Sequence, residues 1–411
     1  MNGFIPEQLP RWKSLGLISP SISMQTKKSR FLALDGLRGI ASLAVCVWHN
    51  FLAFFPGSGS NVPVHCYFLE RIIYPSPLCL FFGGDFAVYI FFVLSGFVLS
   101  IKYYRNPDMA SLKTQFLRRY IRLMPPAAVT ILVSCIILNA GLMYNVQAAN
   151  LASSWWLNLN WHDVNPSFLN ALWQSLWGVW FTQLQPGNAF NSNLLTLFIE
   201  ILGSFIIFSF LIICISLNLR KALRYTLHGL LIAFIIFVLQ DPHYAVFMIG
   251  MFMADLYVNS FPMMKLLGNL GLIFLLLGLF LGSINIANFH SAFYSPISAM
   301  FSGITPPWYW AWMFGSLCLL VSALFFRPFI TLLETKPFQF LGSYSYALYL
   351  CHTVFLGSYT CYVFTKIMIL GKFTYTESVA ISCFSGLPLL ALFVYVVKKV
   401  DDYAISISRK V

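Results

Sequence analysis

The sequence predicts an all-α fold: a polytopic transmembrane helix bundle of about ten spans with both termini in the cytoplasm. Three observations predict it. Hydrophobic residues make up 59% of the chain and charged residues only 9%, about a third of the usual charged share. Apolar stretches follow one another from residue 31 to about 397, which leaves no room for a folded soluble domain among them. The 25 Lys and Arg residues are also segregated, 21 of them on one side of the alternating spans.

Residues 1–30 are polar, basic and contain Pro and Ser, and read as a flexible cytoplasmic tail. The first apolar stretch is too long, carries charges and lacks a small-residue cleavage site, so it is expected to be a true span and not a signal peptide. Spans are expected at about 33–55, 79–101, 123–142, 194–216, 226–240, 243–259, 266–283, 308–326, 338–358 and 378–397. The fifth and sixth touch at Asp241-Pro242 and suggest a tight hairpin. Leu169 to Leu184 is apolar but short and holds Trp173, Trp177 and Trp180, which suits the membrane interface. Residues 398–411 are expected to be a cytoplasmic tail.

Basic residues cluster in the tail, after the second span (Lys102 to Arg122) and in later connections on the same side. Only Arg71, Lys366 and Lys372 fall on the other side, and the long connections 143–193 and 284–307 have no Lys or Arg. Positive residues are retained inside, so those two connections are expected outside. This placement explains the formal charge of +12 without a nucleic-acid partner. The outer connections interleave aromatic residues with Asn and Ser, as in NLASSWWLNLNW and SGITPPWYWAW. Such loops suit sugar rings, lipid head groups or a plain aromatic belt. The nine cysteines have no metal-ligand spacing and the histidines no paired spacing, so no metal is expected. Cys66 and Cys79 share the first outer loop and leave a disulfide open.

The span 33–55 carries Asp35, Arg38 and His49. An ionisable residue at the centre of a membrane helix costs on the order of 2.5–3.5 kcal/mol on insertion scales and usually faces the protein interior. Arg38 and His49 are eleven positions apart, close to three turns, so they share a face at a separation of roughly 16 Å. Asp35 lies one turn before Arg38 and can pair with it. Glu200, inside the fourth span, needs a partner, either an arginine or His49. Ser345, Tyr349 and His352 share a face in the ninth span, and a polar stripe in a membrane helix points into the bundle or a cavity. His352 reads as a second catalytic or acceptor-binding group, or as a packed histidine bonded to a tyrosine. Ser95-Gly96 reads as helix packing.

Five segments in chain order, LDGLRGIASLAVCVWH, GGDFAVYIFFVLSGFVLS, FLRRYIRLMPP, LLTLFIEILGS and FLGSYSYALYLCHTVF, together resemble the acyltransferase-3 family of polytopic membrane O-acyltransferases. The resemblance spans residues 31–397, the expected transmembrane acyltransferase domain, and includes the family's arginine-x10-histidine motif at Arg38 and His49. Departures are Tyr89, where many members have Asp ahead of the FFVLSG run, and Leu195, where a Trp is common. Asp85 either supplies the missing carboxylate from one turn earlier or ends a loop.

The resemblance implies transfer of an acyl group, commonly acetyl, from cytoplasmic acyl-coenzyme A to a hydroxyl of a carbohydrate, lipid or small molecule. His49 would be base or acyl carrier, and Arg38 and Glu200 would complete the catalytic set. Coenzyme A phosphates would meet Arg38, Arg118, Arg119 and Arg122. Asp35, Asp85, Ser345, Tyr349 and His352 are candidates to touch substrate. The plasma membrane is the expected location, with membrane lipid as surroundings and a homo-oligomer left open. The competing class is a transporter or flippase that uses the intramembrane Asp/Arg/His set. Against it, no internal repeat is evident. A third reading is an inactive relative.

Overall fold

The structure is a computed structural model that describes residues 31–58, 62, 64–260, 269–289, 291, 293–301 and 306–411. The described residues form helices and no strands. We number the longer helices α1 Leu32–Phe54, α2 Gly84–Arg105, α3 Met109–Asn139, α4 Leu195–Ser216, α5 Lys221–Phe234, α6 Pro242–Asn259, α7 Gly271–Gly282, α8 Pro307–Phe325, α9 Lys336–Phe355, α10 Cys361–Leu370, α11 Tyr375–Ser385 and α12 Leu387–Ser408.

Among the described residues, eight helical stretches are long and apolar enough to cross a membrane. They match eight of the ten expected spans. The other two expected spans, 243–259 and 266–283, correspond to α6 and to the 12-residue α7, which fall outside that set. Part of 266–283 lies outside the described residues, as does the tail 1–30. The last helix runs on to Ser408, so most of the expected C-terminal tail is helical.

The basic connection after the second span is also mostly helix. Asp108 caps α3 by accepting from Ser111 N at 3.0 Å, and α3 then runs unbroken past Pro125 and Pro126. Arg118, Arg119 and Arg122 are therefore carried on a helix, with Arg119 and Arg122 one turn apart.

Two tight crossings set the core. The axis of α1 lies against α9, and α2 lies against α6. A Cβ built on Gly39 would lie 2.5 Å from Gly342 N, and one on Gly342 would collide with the Asp35 carbonyl. The α1–α9 backbones meet where neither helix has a side chain, the small-residue packing used where lipid tails already solvate apolar surface. At the second crossing a Cβ on Gly96 would strike the Phe247 carbonyl, so the packing expectation for Gly96 holds.

The long connection 143–193 is partly core. Trp156, Trp161 and Trp180 are buried, while Trp155, Trp173 and Trp177 are exposed. Trp161 Nε1 donates to the Phe190 carbonyl at 2.9 Å, and Trp180 Nε1 to the Ser175 carbonyl at 2.8 Å. The aromatic loop pattern thus conceals a lid packed on the helix ends. Glu70, fully buried, holds the connection between α1 and α2 by accepting from Gly57 N (2.6 Å), His65 N (2.6 Å) and Cys66 N (2.9 Å). Cys66 and Cys79 are free thiols, so the disulfide left open by the sequence is not formed. Cys79 Sγ instead donates to the Ser283 carbonyl.

Candidate active site

Close approach of α1 and α9 brings two histidines together across 303 positions of sequence. His49 Nδ1 lies 2.8 Å from His352 Nε2, and both rings are buried. His49 is 17 residues into α1 and His352 16 residues into α9 from their first residues, so the pair sits at the same height, nearer the end of the bundle that carries the loop 143–193. Trp156 from that loop stacks on His49 with ring centroids 5.0 Å apart, and Trp48 leans on it at 4.7 Å.

The hydrogen bonds assign the protons. His352 Nδ1 lies 3.0 Å from the Leu348 carbonyl. A carbonyl only accepts, so a neutral His352 carries its proton on Nδ1 and its Nε2 accepts. His49 Nδ1–H can then donate to that Nε2, which leaves the lone pair of His49 on Nε2. Asn193 Nδ2 packs against the His352 ring, 3.0 Å from Nε2 and 3.2 Å from Nδ1 and so off the lone pair that His49 meets, and donates to the Tyr349 carbonyl at 2.8 Å. Among the described residues His49 Nε2 makes no hydrogen bond. The arrangement presents an imidazole lone pair, held in one tautomer by a second imidazole and a backbone carbonyl.

A supporting shell of Asn191 and Tyr349 fixes Asn193. Asn191 donates to the Leu350 carbonyl at 2.8 Å and accepts from Thr353 Oγ1 at 2.8 Å. Tyr349 Oη donates to the Asn193 carbonyl at 3.0 Å and lies 2.7 Å from Thr196 Oγ1. The expectation that His352 bonds a tyrosine is therefore corrected: its side-chain partners are His49 and Asn193, and Tyr349 braces Asn193. Ser345 is turned back on its own helix, donating to the Gly342 carbonyl at 2.9 Å.

A second constellation lies toward the opposite, basic end. Arg38 pairs with Asp35 at 3.2 Å, as the spacing predicted. Glu200 forms a largely buried ion pair with Arg119 and accepts from Ser95 Oγ at 2.7 Å. Glu200 thus resolves to the arginine partner and does not orient His49, while Ser95 is a polar partner as well as a packing residue. Arg119 is within electrostatic reach of Arg38 and Arg122, and the buried Nε atoms of Arg118 and Arg119 have no hydrogen-bond partner. Arg38 and Arg119 are thus each paired with a carboxylate, and Arg122 is within electrostatic reach of Asp401. Tyr346, which donates to the Leu123 carbonyl at 2.8 Å, links α9 to this group.

Asp85 opens α2 at the other end, in a recess it shares with Trp48, Tyr74, Cys79, Asn285 and Trp312. The residues that sequence reasoning missed are Asn191, Asn193 and Trp156. Asn193 had a faint signal, a polar NSN cluster directly before an apolar span. Trp156 had none that set it apart from its neighbours.

The family model described as an acyltransferase domain, acyltransferase-3, matches residues 31–397. The chain belongs to this family of acyltransferases, and it is an integral, multi-pass membrane protein. It is 33% identical over 135 residues to the O-acetyltransferase PaAT-1 of Phomopsis amygdali, a match that covers 28% of this chain and 25% of that protein. The alignment thus spans about a quarter of the curated relative's length. No solved structure matches the chain.

Proposed function

We propose that this protein is a membrane O-acyltransferase that takes an acetyl group from cytoplasmic acetyl-coenzyme A and transfers it to a hydroxyl on an acceptor. The observation that carries the reading is the His49–His352 pair with its proton order. A hydroxyl delivered to His49 Nε2 would give up its proton to that nitrogen. The resulting oxygen nucleophile attacks the thioester carbonyl, the new C–O bond forms, and the C–S bond breaks. The proton on His49 Nε2 then passes to the departing thiolate, so the enzyme returns to its starting state. While His49 is cationic, its Nδ1–H bond to His352 Nε2 spreads and stabilises the charge. A positioned base of this kind contributes typically about 10²–10⁴-fold.

The guanidinium group of Arg38, Arg118, Arg119 and Arg122 would receive the coenzyme phosphates, since arginine matches phosphate oxygens with a rigid fork of donors. Arg38 and His49 are eleven residues apart on α1, roughly 16 Å along the axis. The slender pantetheine arm of the donor would bridge them. Two of these arginines are already engaged by carboxylates, so Arg118 and Arg122 are the ones best able to meet phosphate. The plasma membrane is the compartment that suits this arrangement, with the basic end facing the cytoplasmic donor.

The reading is tested with the purified chain in nanodiscs and acetyl-coenzyme A radiolabelled in the acetyl group. His49→Ala should abolish turnover of label, and Arg122→Ala should raise the KM for the donor with a smaller effect on kcat. Normal consumption of acetyl-coenzyme A by His49→Ala would remove the mechanism. Label retained covalently on the parent protein would replace the base route by an acyl-imidazole.

A further inference from the structure

His352 meets the edge of the His49 ring. The indole of Trp156 covers a face of it and has no part in the chemistry above. Its plane lies 26° from that of the imidazole with centroids 5.0 Å apart, so the two rings are stacked. Trp48, the chain neighbour on α1, is tilted by 42°. Both stacked rings are withdrawn from solvent, Trp156 at 7% exposure and His49 at 8%.

Trp156 belongs to the five-residue helix Trp155–Leu159, too short to be stable by itself. Three buried polar side chains hold it in place. Ser154 caps it, accepting from Leu157 N at 3.3 Å, and donates to the Leu52 carbonyl at 3.3 Å. Asn160 Nδ2 donates to the Trp156 carbonyl at 2.7 Å. Asn145 Nδ2 donates to the Leu157 and Asn160 carbonyls, each at 3.0 Å. Ser154 and Asn160 are fully buried, and Asn145 is 4% exposed. Leu52 lies about one turn beyond His49 on α1, so the same bond that caps the short helix fixes the indole relative to the imidazole.

A neutral imidazole is at little cost in such surroundings, but a cationic one has lost its water. The base route makes that cation. When the acceptor's proton passes to Nε2 and its electron pair stays on oxygen, the ring gains one positive charge. The Nδ1–H bond to His352 meets this charge in the plane of the ring, and the faces are left to what stacks on them. An aromatic face attracts a cation within about 6 Å of its centroid, most strongly for Trp and more when water is excluded. We propose that Trp156 is a positioning residue of the transfer reaction, whose indole face stabilises the positive charge that His49 gains as base. The inference rests on the acyl-transfer reading for its part in turnover, and on the contact alone for the second test below.

Both tests use the full chain in nanodiscs, with Trp156 alone replaced in turn by mono-, di- and trifluorotryptophan. Fluorine withdraws electron density from the ring face and barely alters the ring's shape. The first test follows release of labelled acetate from acetyl-coenzyme A, with water in place of the acceptor hydroxyl and His49→Ala as the blank. The kcat should fall stepwise along the series, by about tenfold at its end, the size of a desolvated cation–π contact, with the donor KM unchanged. Trp156→Phe should keep more of the rate than Trp156→Leu. If either of these fails to fold, as read by gel filtration, the fluorinated series carries the comparison. A level kcat, or a loss that falls on KM instead, overturns the proposal. The second test follows carbethoxylation of His49 by diethyl pyrocarbonate, read by peptide mass. That reaction also places positive charge on the ring as Nε2 attacks, and it needs neither donor nor acceptor. Its rate at fixed pH should fall in the same order, and an unchanged rate overturns the proposal whatever the first test gives. A parent that releases no acetate yet shows the carbethoxylation trend would sink the acyl-transfer reading and leave the indole–imidazole contact standing.

Discussion

In the proposed mechanism His49 can serve as a base because its other nitrogen is already engaged. The Leu348 carbonyl fixes His352, and His352 fixes His49. Asn193→Ala should therefore lower kcat without a matching change in the donor KM, since Asn193 holds His352 and is remote from the guanidinium cluster. Steady-state kinetics check this, and an unchanged kcat would mean that Asn193 only packs. Glu200 behaves differently. Removing one partner of a buried ion pair leaves an uncompensated charge, a loss of about 3–5 kcal/mol. Glu200→Gln should thus lower the unfolding midpoint clearly, and the paired change Arg119→Met with Glu200→Met should restore much of it. At this scale the sequence was half legible. Arg38, His49 and the Asp35 pairing could be read from position on one helix. The partners of His49 and Glu200 could not, because they lie 303 and 81 residues away and no local pattern encodes which distant helix a side chain will meet.

At the scale of the element, the geometry of the site depends on how closely α1 and α9 cross. Gly39 and Gly342 permit that approach. Gly342→Val should separate the helices, weaken the 2.8 Å histidine contact and cost activity more than expression, measurable as transfer rate per folded protein. A neutral effect would show that the crossing tolerates a side chain and that the histidines are aligned by other contacts. The connection between α1 and α2 makes a parallel case. Its fold rests on Glu70 and not on a disulfide, so the intact protein should have the same mass and migration with and without reductant, and Cys79, 3% exposed, should resist maleimide until unfolded. Helices were legible here as apolar runs. Loop structure was not, since the same Trp-rich pattern serves an exposed belt at Trp155 and a buried lid at Trp156.

Across the whole molecule, the proposed function gives the two constellations different parts: the arginines toward the basic end would meet the phosphorylated donor, and the histidine pair with its aromatic neighbours, nearer the opposite end, would meet the acceptor. The segregation of Lys and Arg is legible in the sequence, because charge placement is a global property of the chain. Of the ten expected spans, α6 has 18 residues but polar ones at both ends, and α7 has 12, so these two fall outside the stretches that are both long and apolar enough to cross among the described residues. The most direct test of the account measures acetyl transfer in His49→Ala, His352→Ala and the double variant. If the two imidazoles act as one unit, each single change removes most of the rate and the double variant is hardly worse than His49→Ala alone. A His352→Ala enzyme that keeps the parental rate, or losses that multiply in the double variant, would contradict the relay on which the mechanism stands.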